Sequence, residues 1–288
     1  MVATGYAKDV LVTTEWLAEH LGDDNVVVAE VDENPDLYDE GHIPGAIKLH
    51  WRDDLQDPVE RDLVEKDAFE RLMGSRGIDN DTAVVLYGDK NNWFAAYAYW
   101  YLKIYGHGDV RILDGGRQKW LDEARETTTD APQVSAKQYA ANDRDESIRA
   151  WRDEVREWIG ASGRALVDVR SPQEYAGDLL APPGYEQEGA LRGGHIPTAQ
   201  SIPWAQAVRD DGTFKAPDEL RQLYGGKGVT SDKEITAYCR IGERSAHTWF
   251  VLRELLGYEN VRNYDGSWTE WGNLVDVPIE KGAPAAAA

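Results

Sequence analysis

Short apolar runs alternate along the chain with longer stretches of helical spacing. Val26 to Val31, Ala83 to Tyr87, Ala165 to Val169 and Glu234 to Tyr238 are nearly unbroken runs of aliphatic and β-branched side chains. Runs of that length without polar alternation are the pattern of strands covered on both faces. Between them, Thr14 caps a helix opening Glu15-Trp16-Leu17, Ala150 to Ile159 opens a similar segment, and Asn92 to Tyr105 and Arg244 to Leu256 carry helical periodicity. Strands alternating with helices predict an α/β fold, each sheet mostly parallel with helices on both faces. The longest apolar stretch, Phe94 to Tyr105, includes Lys103 and falls short of the roughly 20 residues a bilayer requires, so it reads as a buried helix.

The pattern also repeats. Gly41-His42-Ile43-Pro44-Gly45-Ala46 returns as Gly194-His195-Ile196-Pro197-Thr198-Ala199, 153 positions on, with Trp51 in step with Trp204. Val110-Arg111 through Asp114-Gly115 and Trp120 return as Val261-Arg262 through Asp265-Gly266 and Trp271, 151 positions on. Two blocks in one order predict a duplicated domain. The apolar runs ending in Asp32 and Arg170 are offset by only 138, which places an insertion in the second copy around Gly177 to Gly193. The expected organisation is a first domain over 1–128, a linker over 129–147, a second domain over 148–282 and a frayed tail over 283–288. His42, His195, Trp120 and Trp271 occur in both copies and are expected to serve the fold.

Composition narrows the classes. A chain of 288 residues has room for two domains. With 52 acidic against 31 basic residues the net charge is −21, which disfavours nucleic acid and anionic membranes as partners. Only 11 of the basic residues are Lys, and an acid-rich, Lys-poor surface is that expected of a protein working in concentrated salt. The single cysteine, Cys239, precludes an internal disulfide and a Cys-rich zinc site, and points to a reducing compartment. The N-terminal residues show no signal-peptide pattern, so a cytoplasmic location is expected.

Chemistry that happens once should sit where the copies differ. After the matched strands, the first copy reads Tyr87-Gly88-Asp89-Lys90-Asn91-Asn92, the second Tyr238-Cys239-Arg240-Ile241-Gly242-Glu243-Arg244-Ser245. A loop from strand end to helix start aims successive N–H groups at one spot and favours an anion there. A cysteine heading such a loop, flanked by Arg240 and Arg244, is expected to be a nucleophile with its thiolate favoured. Arg170, where the first copy has Asp32, is a candidate for holding a second oxygen of an anionic substrate, an ion pair with Glu174 or Asp178 being the competing reading. Asp168, matched by Glu30, looks structural, and His247 reads as a packed helix position.

Tyr38-x-x-x-His42-Ile43-Pro44-Gly45-Ala46-x-x-Leu49 and Val261-x-x-Tyr264-Asp265-Gly266-Ser267-Trp268-x-Glu270-Trp271 resemble the two signatures of the rhodanese sulfurtransferases, and the likeness covers nearly the whole chain. The tandem layout, with cysteine only in the second copy, resembles the thiosulfate sulfurtransferases of actinobacterial and archaeal type. The resemblance implies that Cys239 takes the outer sulfur of thiosulfate as a persulfide and passes it to cyanide or a thiol, without cofactor or metal. It further implies that the loop backbone of Ile241, Gly242, Glu243 and Ser245 cradles the persulfide while the Arg240 and Arg244 side chains bind donor. The chain departs from the best-known thiosulfate enzymes at Ile241, where they carry Lys, and at Glu174, where they carry a substrate Arg. Alternatives are a 3-mercaptopyruvate sulfurtransferase and a persulfide carrier. A cysteine phosphatase is disfavoured, because its loop places five residues between Cys and Arg and this one places four. If the acidic surface is an adaptation to salt, dialysis from molar to low salt should cost native circular dichroism; full retention of structure contradicts it.

Overall fold

A computed structural model describes residues 5–185 and 189–282; the expected tail over 283–288 lies outside them. The chain forms two compact units. One comprises Asp9–Asp145 with Val208–Phe214, the other the residues up to Lys8, Glu146–Ala207 and the chain from Lys215 on.

The first unit runs β1 (Leu11–Val12), α1 (Thr14–His20), β2 (Val26–Glu30), α2 (Leu37–Glu40), β3 (Ile47–Lys48), α3 (Lys66–Ser75), β4 (Ala83–Tyr87), α4 (Asp89–Ile104), β5 (Val110–Leu113) and α5 (Gly116–Asp122). Its five strands are all parallel, in the order β1-β5-β4-β2-β3. Thr13, not Thr14, caps α1, accepting the Trp16 N–H at 3.1 Å. The apolar stretch after Trp93 is buried along almost its whole length, as its composition predicts.

The second unit runs α6 (Arg152–Trp158), β6 (Arg164–Asp168), α7 (Pro172–Ala176), β7 (Gln200–Ser201), α8 (Pro217–Gly225), β8 (Glu234–Tyr238), α9 (Glu243–Phe250), β9 (Val261–Tyr264) and α10 (Ser267–Trp271). Its strands are parallel, in the order β7-β6-β8-β9. A single parallel bridge, Arg149 to Asn263, stands where β1 pairs with β5 in the first unit. The helix expected over Arg244–Leu256 is shorter: after Phe250 the backbone widens into a π-turn over Val251–Leu255. No described helix is long and apolar enough to cross a membrane.

The shared residues do the same structural work twice. His42 stacks on Tyr38 with centroids 3.8 Å apart and bonds its carbonyl through Nδ1; His195 does so on Tyr175 at 3.6 Å. Each histidine's backbone also pairs antiparallel with the segment after the last helix of its unit, His42 with Thr128 and His195 with Glu280. Trp120 and Trp271 donate their indole N–H to Glu126 and Pro278 carbonyls. At the ends of β4 and β8 the hydroxyls of Tyr87 and Tyr238 accept the N–H of Ile43 and Ile196, at 2.9 and 3.0 Å.

The insertion separates Tyr175 from its stacking partner His195. Its limbs meet at Gly177 and Gly193: a Cβ on Gly193 would lie 2.7 Å from the Gly177 carbonyl oxygen, so no side chain fits. Gly194 follows with φ +125° and room for no Cβ, the Glu280 oxygen lying 2.2 Å from where one would stand. Gly194→Ala should therefore destabilise by about 2 kcal/mol or more, a lower denaturant midpoint at unchanged slope; an unmoved midpoint contradicts this geometry.

Candidate active site

β8 delivers its last residue, Tyr238, into the core, and the chain then turns sharply to start α9. Cys239 heads this turn and is fully buried. Its N–H donates to the Ser267 hydroxyl at 3.0 Å and its carbonyl accepts the Trp268 N–H at 3.1 Å. The turn closes at Gly242, whose φ of +101° and contact with Asp265, 2.7 Å from a would-be Cβ, admit only glycine. Asp265 is gripped at both oxygens by the buried Arg149, at 3.0 and 2.9 Å. Asn263 Nδ2 donates to the Gly242 carbonyl while its Oδ1 accepts the Ser245 hydroxyl at 2.6 Å. As a result the Gly242 N–H donates to Cys239 Sγ at 3.1 Å.

The side chains around the sulfur differ from expectation. Arg244 is buried and spends both terminal nitrogens on Glu174, at 3.0 and 3.1 Å. Although burial opposes ionisation, Arg244 holds the Glu174 carboxyl down at about 2, helped by the Ser171 N–H. Glu174 also closes the capping box of α7 with Ser171. Glu243 turns inward and accepts the Cys239 thiol at 3.3 Å. Arg240 lies over the Tyr185 ring, 4.5 Å from its centroid, and donates to the Tyr185 carbonyl at 3.4 Å. Ile241 is buried.

Two expectations need correction. Arg170 does not face the crevice: it is fully buried, forks onto Asp168 with its closest contact at 2.6 Å, donates to the Gly194 carbonyl at 2.7 Å and stacks on Trp268. Its ion-pair partner is Asp168, rather than Glu174 or Asp178, because the carboxylate two residues back turns the guanidinium into the fold. The Cys239 thiol, for its part, is not favoured as thiolate at rest. Burial, and then the Glu243 carboxylate, push it up against the pull of Arg244 and Ser245. His247 is packed as expected, edge-on to Trp204, and burial lowers it to about 3.

In the first unit the equivalent turn is filled by its own side chains. Lys90, Asn91 and Asn92 all have left-handed φ, the Asp89 N–H donates to Asp32 at 2.7 Å, and the Gly88 N–H donates to the Asn92 side chain. Burial and the adjoining Glu30 carboxylate raise Asp32 to about 9. Glu30 itself holds Arg117 at 2.6 Å, as Asp168 holds Arg170.

The Glu243 side chain and Tyr185 are site residues that the sequence did not single out, and Glu174, offered there as a partner for Arg170, pairs with Arg244 instead. In the sequence Glu243 reads as loop backbone, and Tyr185 belongs to an insertion with no counterpart.

The buried Arg244–Glu174 pair makes a pH-dependent contribution. Because the folded value of Glu174 lies below its ordinary 4.5, that contribution is complete above about pH 4.5 and is lost as pH falls toward 2. Glu174→Gln should destabilise by about 3 kcal/mol at neutral pH, leaving Arg244 buried without its partner. Acid titration of unfolding free energy should show the gap from wild type closing below pH 4.5; a constant gap contradicts it.

Residues 13–123 and 152–274 each match the rhodanese-like domain. A Saccharopolyspora erythraea protein named "Putative thiosulfate sulfurtransferase" is 59% identical over 95% of this chain and 96% of its own. A Haloferax volcanii protein of the same name is 54% identical over 98% and 100%, and the "Sulfur carrier protein TtuD" of Thermus thermophilus is 61% identical over 96% and 99%. Among solved structures, the anaerobic ergothioneine biosynthesis enzyme of Chlorobium limicola with trimethyl histidine superposes with a TM-score of 0.81 at 26% identity, covering 95% of this chain and 70% of that one. A structure of EanB with ergothioneine covalently linked with a persulfide superposes at 0.82, with the same identity and coverage. The chain belongs to the rhodanese family and carries its domain twice.

Proposed function

We propose that the protein is a thiosulfate sulfurtransferase acting through a persulfide on Cys239, with cyanide or a thiol as acceptor. The observation that carries this reading is the Gly242 N–H directed at Cys239 Sγ at 3.1 Å, from a turn whose glycine conformation is locked against Asp265. The sulfur of Cys239 attacks the outer sulfur of thiosulfate, the sulfur–sulfur bond breaks, and sulfite leaves with the electron pair. Backbone N–H groups of Gly242 to Ser245 stabilise the persulfide anion. Arg240 is the cation assigned to the donor's sulfonate oxygens, exchanging its stacking on Tyr185 for substrate. Arg244, paired with Glu174, keeps the turn in place and lends its charge from behind.

A persulfide carrier that hands sulfur to a partner protein is the second reading, favoured by the name of the Thermus relative.

Mass spectrometry after incubation with thiosulfate should show a gain of one sulfur atom in the wild type and none in Cys239→Ser, with both variants folded. Mercaptopyruvate serves as the competing donor, and gain from neither donor contradicts the reading. Arg240→Ala should raise KM for thiosulfate about tenfold or more, the loss of one charge-assisted contact.

A further inference from the structure

The carboxylate beside the nucleophile is out of keeping with a site whose only task is to stabilise an anion. A fixed negative charge against Sγ opposes thiolate formation, yet Glu243 is buried, with its Oε2 3.3 Å from the sulfur. Its other oxygen, Oε1, receives no hydrogen bond, and its nearest cation is Arg244 Nε at 3.7 Å. That guanidinium is committed to Glu174 through both terminal nitrogens. Two carboxylates thus share one arginine, and Glu174 holds the better part of it, with Ser171 donating as well. The other charged groups around the turn are already engaged. Asp265, behind Gly242, is held by Arg149, and Arg240 lies on Tyr185. Glu243 is therefore the carboxylate in this site whose one hydrogen bond comes from the Cys239 thiol, which places it to receive that proton.

We propose that Glu243 is the proton-transfer residue of sulfur transfer, taking the Cys239 proton as the sulfur attacks the donor and returning it to the leaving group. This rests on the reading of Cys239 as the persulfide-forming nucleophile. In the first half-reaction the S–H bond breaks, its proton moves to Glu243, and the electron pair on sulfur forms the new sulfur–sulfur bond. The donor's own sulfur–sulfur bond breaks, and its electron pair departs on sulfite. The proton then passes from Glu243 to a sulfite oxygen, so that thiol plus thiosulfate gives persulfide anion plus hydrogensulfite. In the second half-reaction a thiol acceptor attacks the outer sulfur and becomes a persulfide anion. Its proton returns through Glu243 to the Cys239 sulfur, restoring the thiol. The protonated cysteine is the resting state, and the persulfide form of the site carries one more negative charge, which is neutralised when the acceptor's proton restores the thiol.

The test separates proton transfer from a merely electrostatic or structural role. Single-turnover persulfide formation with thiosulfate is followed by mass spectrometry across pH for wild type, Glu243→Gln and Glu243→Asp, alongside the pH dependence of iodoacetamide alkylation of Cys239. Glu243→Gln should slow persulfide formation roughly hundredfold while the alkylation midpoint moves to lower pH, because a neighbouring negative charge has gone. A variant richer in thiolate yet slower at transfer is not produced by a lost packing contact. Glu243→Asp, which retains a carboxylate on a shorter arm, should recover part of the rate. Persulfide formation in either variant as fast as in wild type overturns the proposal, and if the Gln variant does not fold, the Asp variant alone decides it. A wild type that gains no sulfur overturns the persulfide reading and this proposal together, whereas gain in wild type and variants alike overturns this proposal only.

Discussion

The α-carbon of Gly242 packed against Asp265 is the contact on which the site depends. A turn this tight between a strand and a helix needs a left-handed residue and no side chain at that point, and Asp265 must itself stay fixed for the fit to select one conformation. Arg149 supplies that by forking onto both of its oxygens. With the turn closed, one N–H points at the sulfur, the carbonyl of the same residue is held by Asn263, and α9 begins with Glu243 facing inward. Everything chemical in the second unit follows from one backbone conformation braced by one ion pair.

The first unit shows the same frame with other contents. The strand order, the stacked Tyr–His pairs and the tyrosine that ends the central strand are retained. Where the second unit has a cysteine under an N–H group, the first has Asp89 donating to the Asp32 carboxyl. A side chain of the protein, the Asp32 carboxyl, takes the N–H of this turn, and burial together with the adjoining Glu30 carboxylate raises its pKa. The two units thus share one frame around the turn, headed by a cysteine that accepts an N–H in the second and closed on an internal carboxyl in the first.

The fold was legible because its determinants are local. The apolar runs of β4 and β8 coincide with their sequence limits, and the repeated Gly-His-Ile-Pro blocks mark equivalent turns. Cys239, the proposed nucleophile, was singled out by contrast between copies. What could not be read are pairings made across distance in sequence. Glu174 meets Arg244 from 70 residues away, and it also closes the capping box of α7 with Ser171. Arg170 was misplaced for the opposite reason. Its partner Asp168 is so near that alternation along an extended strand suggests nothing, and only the curl of the chain after β6 brings the two together. Glu243 sits four residues after Cys239, a spacing that means little until the turn between them is known to be closed.

The glycine crossing at the base of the insertion has a consequence in polymer terms. Because Gly177 and Gly193 touch backbone to backbone, the chain between them begins and ends at one place. Its ends are held together whatever it contains, and the entropy of closing such a loop grows only with the logarithm of its length. The Tyr175–His195 stack below the crossing is accordingly insulated from what is threaded above it. Segments of different size and chemistry could be exchanged at this point at nearly constant folding cost. The residue that lies over Arg240, Tyr185, is carried by this exchangeable segment, so the surroundings of the site can vary while the machinery beneath them stays fixed.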